Sequence, residues 1–317
     1  MNEFIRKNGK KFLIALSRPA IILCVPVLCY FFWQPGSNEP LPPYRNNAMW
    51  LSSKWLEDSR SNQYDEEQME ALFATIAQNR ISTVFPELHL KLTSQETLSC
   101  DESRIEFFLD IAEKHNIKVI PKVGGILGQS AFPDADEWRK NFVNAVELLI
   151  EKHPRLSGIQ LCIKPWQSDN VSFLKLLDEL KQVVKDKTLS VAAFPPPPTP
   201  RHNSSGVHWR TAYVAYLTNH CDQLAVMMYD TDVFPEKFYT KIVAVWTTKL
   251  ASAVYLRKCE LLTGIPACLH YKYGENITAA LKGIASSGRK AEISGVAAYC
   301  TGEMNEEEWR VWRKFIR

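Results

Sequence analysis

From residue 48 to the C-terminus the chain repeats one unit: a short apolar run, a turn, then a longer stretch whose apolar residues recur at three- and four-residue spacing. The short runs predict eight strands, at 48–51, 81–88, 118–123, 158–164, 189–194, 223–229, 260–265 and 294–299. The stretches between them carry helical stripes such as Met69, Leu72, Phe73, Ile76 and Phe173, Leu176, Leu177, Leu180. A last helix opens at Asn305, a good N-cap, with Glu306, Glu307 and Glu308 in its first turn. Eight strand–helix units in about 270 residues predict an α/β fold of the (β/α)8 TIM-barrel type, whose usual size is about 250 residues. A doubly wound open sheet needs a phosphate-type glycine turn after an early strand, and Val123-Gly124-Gly125 lacks that spacing.

Charge separates the chain into regions. Of its 38 Lys+Arg and 35 Asp+Glu, five cations (Arg6, Lys7, Lys10, Lys11, Arg18) and one acid (Glu3) crowd into the first 18 residues. The rest is near neutral, so no basic face for nucleic acid is expected. Residues 12–33 are mostly apolar, broken by Ser17, Arg18, Pro19 and Pro26, and end on Tyr30, Phe31, Phe32 and Trp33. Twenty-two helical residues reach about 30 Å, the thickness of a bilayer's hydrocarbon core, and a basic start with an aromatic close suits an N-in anchor. We read 1–11 as a cytoplasmic tip, 12–33 as a single transmembrane signal-anchor, 34–47 as a Pro-rich extended spacer, and 48–317 as an extracytoplasmic barrel. Cleavage as a signal peptide, giving a secreted barrel, is the alternative, though bulky Phe-Phe-Trp-Gln-Pro is a poor cleavage site.

Barrel chemistry sits at the C-terminal ends of the strands. Those positions are rich in aromatic side chains, which stack on the apolar faces of sugar rings: Trp50, Trp166, Tyr229 and Tyr299 are the candidates. The fourth strand, Ser157-Gly158-Ile159-Gln160-Leu161-Cys162-Ile163-Lys164, alternates so that Gln160, Cys162 and Lys164 point into the barrel.

That strand resembles the DGxDxDxE signature of glycoside hydrolase family 18, the chitinase-like barrels, and Met227-Met228-Tyr229-Asp230 resembles the family's sixth-strand MxYD. The resemblance implies a carbohydrate ligand, with Tyr229 and Asp230 holding an N-acetyl group, and a Glu that protonates the glycosidic oxygen, aided by an Asp two residues earlier. Here Lys164 stands at the acid position, Cys162 at the supporting Asp, Gln160 at the inner Asp and Ser157 at the first. A lysine, with an ordinary pKa of about 10.4, is a poor acid at neutral pH; burial lowers such values, and a buried lysine forms Schiff bases with carbonyl substrates. The expectation is a glycan-binding pseudoenzyme. The alternatives are a hydrolase whose acid has moved to Glu87, Asp230, Asp232 or Glu303, and a non-catalytic scaffold for a partner protein.

No cofactor is expected, and no Cys or His spacing suits a metal. Cys221 and Cys259 precede neighbouring strands and predict a disulfide. His115 and His153 close helices, where a positive charge suits the dipole. The proline run 195–198 reads as a rigid loop beside the groove, and the sequons at Asn170, Asn203 and Asn276 are weak matches.

Overall fold

The computed structural model describes residues 33–56, 65–90, 92, 102–198, 208–231, 233, 235–267, 274–300 and 304–317. The expected anchor lies outside them except for Trp33; among the described residues no helix is long and apolar enough to cross a membrane.

Residues 36–317 form one unit in which strands and helices alternate. The order is β1 (Ala48–Leu51), α1 (Glu66–Gln78), β2 (Thr83–Pro86), α2 (Glu102–Lys114), β3 (Lys118–Val119), β4 (Lys122–Ile126), α3 (Asp136–Lys152) and β5 (Gly158–Lys164). It continues with α4 (Val171–Val184), β6 (Thr188–Ala193), α5 (Thr211–Leu217), β7 (Gln223–Met227), α6 (Glu236–Val254), β8 (Glu260–Pro266), α7 (Ile277–Ser286), β9 (Gly295–Tyr299) and α8 (Glu306–Phe315). All strand pairs are parallel, in the order β3-β2-β1-β9-β8-β7-β6-β5-β4.

Among the described residues nine strands stand where eight are predicted, because the third run is interrupted. Pro121 has no N–H to give to a ladder, so the extended chain changes neighbours around it. Before the proline, Lys118 N and Ile120 N donate to Ser82 O and Val84 O; after it, Gln160 N donates to Pro121 O and Leu88 N to Lys122 O. A parallel bridge between Glu87 and Lys122 joins the two sides. The curled sheet is therefore TIM-barrel-like, with β3 and β4 as two halves of one barrel stave.

Helix ends follow the sequence signals. Asp65 with Gln68 and Asn305 with Glu308 form reciprocal capping boxes on α1 and α8. The sequon residues Asn170 and Asn276 cap α4 and α7, their side chains accepting from Phe173 N and Ala279 N. Asn203 lies outside the described residues. The apolar stripes face inward: Met69, Phe73, Ile76, Phe173, Leu176 and Leu180 are all buried. His115 and His153 stand at helix ends, each paired with a carboxylate of the preceding helix layer, Glu70 and Glu106 respectively.

Two expectations are corrected. Residues 36–47, expected as part of a free spacer, belong to the folded unit: Ser37 N donates to Lys282 O, Leu41 N to Phe315 O, Tyr44 Oη to Lys290 O, and Leu41 is buried. Prolines leave few donors here, and three of those present reach backbone acceptors on α7, on α8 and between α7 and β9. Cys221 and Cys259 are free thiols rather than a disulfide. They are neighbours as predicted, with the hydrogen bond to Cys259 and burial pushing the Cys221 thiol well up; Cys221 Sγ also donates to Leu217 O at 3.3 Å. Cys300 is disulfide-bonded.

Candidate active-site mouth

The barrel interior carries a register-aligned polar row. Gln160, Ser190, Gln223 and Glu260 are successive Cα partners across β5 to β8, and parallel pairing places their side chains side by side. Gln160 Nε2 donates to Ser190 Oγ at 3.1 Å, Ser190 Oγ to Gln223 Oε1 at 2.8 Å, and Gln223 Nε2 to Glu260 Oε2 at 2.9 Å. Asn46 Nδ2 closes one end on Glu260 Oε1 at 2.5 Å, and Trp50 Nε1 closes the other on Gln160 Oε1 at 2.6 Å. Gln160 and Ser190 are fully buried, so each bond in the row offsets the desolvation of its groups. The inward direction read from the alternation of the fourth predicted strand holds, but Gln160 is engaged at both ends of its amide and lies below the cavity lining.

Trp50 occupies the interior beside this row. Its exposure is 2%, and its ring packs on Phe85, Tyr229 and Tyr299 at centroid distances of 5.5, 5.9 and 6.0 Å. Gly264 makes room for it: a Cβ there would lie 2.9 Å from Trp50 Cη2.

Above Trp50 opens a cavity of about 480 Å³, lined among others by Glu87, Lys122, Ser130, Cys162, Lys164 and Tyr299. This volume suits a small-molecule site. Lys122 Nζ lies 3.0 Å from Glu87 Oε1. Lys122 is the neighbour that the sequence reading missed as a site residue; its place at the end of the predicted third strand, in register with Gln160, is the signal for it. Gly124, at φ +144, lets β4 approach β5: a Cβ there would sit 2.0 Å from Cys162 O. Burial pushes the Cys162 thiol up, while the charges of Lys164 and Lys122 pull it partly back. Burial likewise pushes the Tyr299 hydroxyl up.

Tyr229 stacks on Tyr299 at 4.3 Å and 11°. The chain then turns sharply, with Asp230 exposed and in the left-handed region at φ +57. Glu275, 4% exposed, holds that turn: Asp230 N donates to Oε2 at 2.7 Å, and Thr231 N and Thr231 Oγ1 donate to Oε1 at 2.9 and 2.6 Å. Burial pushes the Glu275 carboxyl up, and these hydrogen bonds oppose it.

The structure thus brings Glu87, Cys162, Lys164 and Tyr299 into one cavity wall, with Tyr229 and Asp230 beside it. Trp166 is placed elsewhere: its ring is 1% exposed, packs on Phe173, and its carbonyl accepts from Trp209 Nε1. Its apolar ring is consumed by the helix layer, which removes it from the expected aromatic mouth. Asp232 and Glu303 lie outside the described residues. The proline run leaves β6 directly, with Pro195 O accepting from Trp209 N. Among the described residues no group of three or more His, Cys, Asp or Glu could hold a metal ion.

A parallel curled sheet alternating with helices, with its cavity at the strand C-terminal ends, defines a TIM-barrel-like protein. The sequence profile of the glycosyl hydrolases family 18 matches residues 57–299. The chain belongs to this family. Among solved structures it is similar to the Group IV chitinase of Ostrinia furnacalis at 13% identity and TM-score 0.58, covering 86% of this chain and 99% of that one. The spore cortex-lytic enzyme of Bacillus cereus gives 12% identity and TM-score 0.57, covering 88% of this chain and 76% of that one. The endo-beta-1,4-mannanase of Thermotoga petrophila gives 11% and 0.61, covering 87% and 77%. Likeness at this identity speaks to the fold. No curated protein sequence matches the chain.

Proposed function

We propose that this chain is a membrane-anchored family 18 barrel that holds an extracytoplasmic glycan at its mouth and has lost the family's standard acid catalysis. The observation that carries the reading is the identity of the side chains at the signature positions. Lys164 and Cys162 line the cavity where the resemblance places the acid and its supporting Asp, and Gln160 is locked into the interior row. An ammonium at the acid position has no proton to give near neutral pH without a large loss of basicity, and no carboxylate stands two residues before it to steady a developing cation. The stacked pair Tyr229–Tyr299 supplies the apolar wall that a sugar ring needs.

The deciding experiment pairs binding with turnover. Full-length protein in detergent is expected to bind chitin or mannan oligosaccharides in calorimetry while releasing no product from a fluorogenic N-acetylglucosaminide. Turnover that survives Lys164→Met and disappears in Glu87→Gln would replace this reading with a relocated acid. Among the described residues Glu87 is the carboxylate that lines the cavity, which favours it over Asp230 as the relocated acid.

A further inference from the structure

The cavity at the mouth carries a charge arrangement that glycan binding alone does not call for. Among the described residues its lining holds two lysines, Lys122 and Lys164, against one carboxylate, Glu87. Lys122 is engaged with Glu87 at 3.0 Å. Lys164 makes no side-chain hydrogen bond or ion pair among the described residues, and its side chain is only partly exposed. Among the described residues, Asp230 sits on the exposed turn after β7 and is not part of the lining. The wall behind Lys164 is neutral: Cys162 is a protonated thiol and Gly124 and Gly125 bring only backbone.

A half-buried ammonium in a concave site has given up part of its hydration and gets nothing back until an anion arrives. A charged acceptor there forms a charge-assisted hydrogen bond, about twice as strong as a neutral one, whereas a neutral sugar hydroxyl returns much less. Tyr299, braced by Tyr229, lies in the same lining and offers a flat apolar face to the ring that bears the anion.

We propose that the ligand of this mouth is an anionic sugar, whose ring lies against Tyr299 while a carboxylate or phosphate substituent pairs with Lys164. This rests on the glycan-binding reading above and narrows it to a class. The position that would carry a proton donor in a hydrolase serves here as the recognition group for charge, and Glu87 pairs with Lys122, so that among the described lining residues one anionic substituent balances the remaining charge.

The test is calorimetry on the full-length chain in detergent with five probes: trigalacturonate, galactotriose, chitotriose, N-acetylglucosamine 6-phosphate and inorganic phosphate. Trigalacturonate or the sugar phosphate is expected to bind about tenfold or more tightly than the neutral trisaccharides. Lys164→Met should bring the preferred acidic probe down to the neutral level, and Lys164→Arg should retain the preference. Which of the two acidic probes wins assigns the anion as carboxylate or phosphate. Equal binding of acidic and neutral sugars overturns the inference and leaves the glycan reading standing. Binding of inorganic phosphate as tightly as the sugar phosphate, with none of the trisaccharides bound, overturns both, as does the absence of binding by all five probes. A charge preference that survives Lys164→Met in a protein whose thermal unfolding matches the parent also overturns the inference, because the preference then arises elsewhere.

Discussion

The indole Nε1 of Trp50 donates to Oε1 of Gln160 at 2.6 Å, tying the first strand to the fifth through the barrel's interior. This bond ends a row that runs through Ser190, Gln223 and Glu260 to Asn46, so a change at Gln160 is felt on several strands. Gln160→Ala leaves the Trp50 N–H without its acceptor and takes a donor from Ser190. It should destabilise the protein by about 2–4 kcal/mol, the cost of orphaning buried polar groups plus the lost packing. Urea unfolding followed by tryptophan fluorescence measures it, and a loss under 1 kcal/mol would show that the row relaxes around the gap.

Glu275 shapes the turn that carries Asp230. Glu275→Ala removes the acceptor of the Asp230 and Thr231 N–H groups and should cost about 2–3 kcal/mol, with weakened glycan binding because the segment after Tyr229 is no longer held. The pH dependence has a definite sign. Burial raises this carboxyl above its ordinary 4.5, so the folded state favours its proton; the resulting contribution is complete below 4.5 and is lost as pH rises through the raised value. Glu275→Gln, a fixed analogue of the protonated form, should therefore gain on the parent in urea midpoint as pH rises from about 4 to 7. A gap that widens in the parent's favour would contradict the assignment.

Cys162 reports the electrostatics of the mouth. Its thiol is pushed above the ordinary 9.0 by burial, so alkylation by iodoacetamide, mapped by peptide mass, should be slow at neutral pH and rise only in alkaline buffer. Because Lys164 pulls the thiol back down, Lys164→Met should shift the reaction to still higher pH. An unchanged profile in that variant would mean that the lysine charge does not reach the sulfur. The raised value also means that any stability the protonated thiol contributes is present below about 9 and fades as pH climbs beyond it.

Much of the fold can be read from the sequence because each strand and helix carries its own period. The capping boxes at Asp65 and Asn305 and the inward set of the fourth predicted strand are local patterns, and local patterns survive folding. The break at Pro121 is also written locally, yet its effect is not: a proline inside an apolar run ends a ladder only once the neighbours on both sides are known. The site is less legible for the same reason. Lys122 and Glu87 are separated by 35 positions in the chain and meet only because the residue after β2 bridges to the start of β4, the second half of the interrupted stave. Trp166 lies two residues past the end of β5 and Tyr299 closes β9, and only packing against Phe173 and Trp209 decides that one ring is buried and the other faces the cavity.

Asn305 offers a check on the last helix, which carries Trp309, Trp312 and Phe315 into the core. Asn305→Ala should cost about 1 kcal/mol, the usual value of an N-cap, and Asn305→Asp should be close to neutral, since aspartate caps as well and suits the helix dipole. Thermal unfolding of the two variants side by side measures the difference.

The aligned row beneath the mouth limits what position 160 can carry. An aspartate placed at 160 would be one carbon shorter than the glutamine, would lose the amide that donates to Ser190, and would enter the same polar layer as the Glu260 carboxylate. An acid at 160 therefore calls for concerted change over β1, β6, β7 and β8, whereas positions 162 and 164 line the cavity and are not tied into the row.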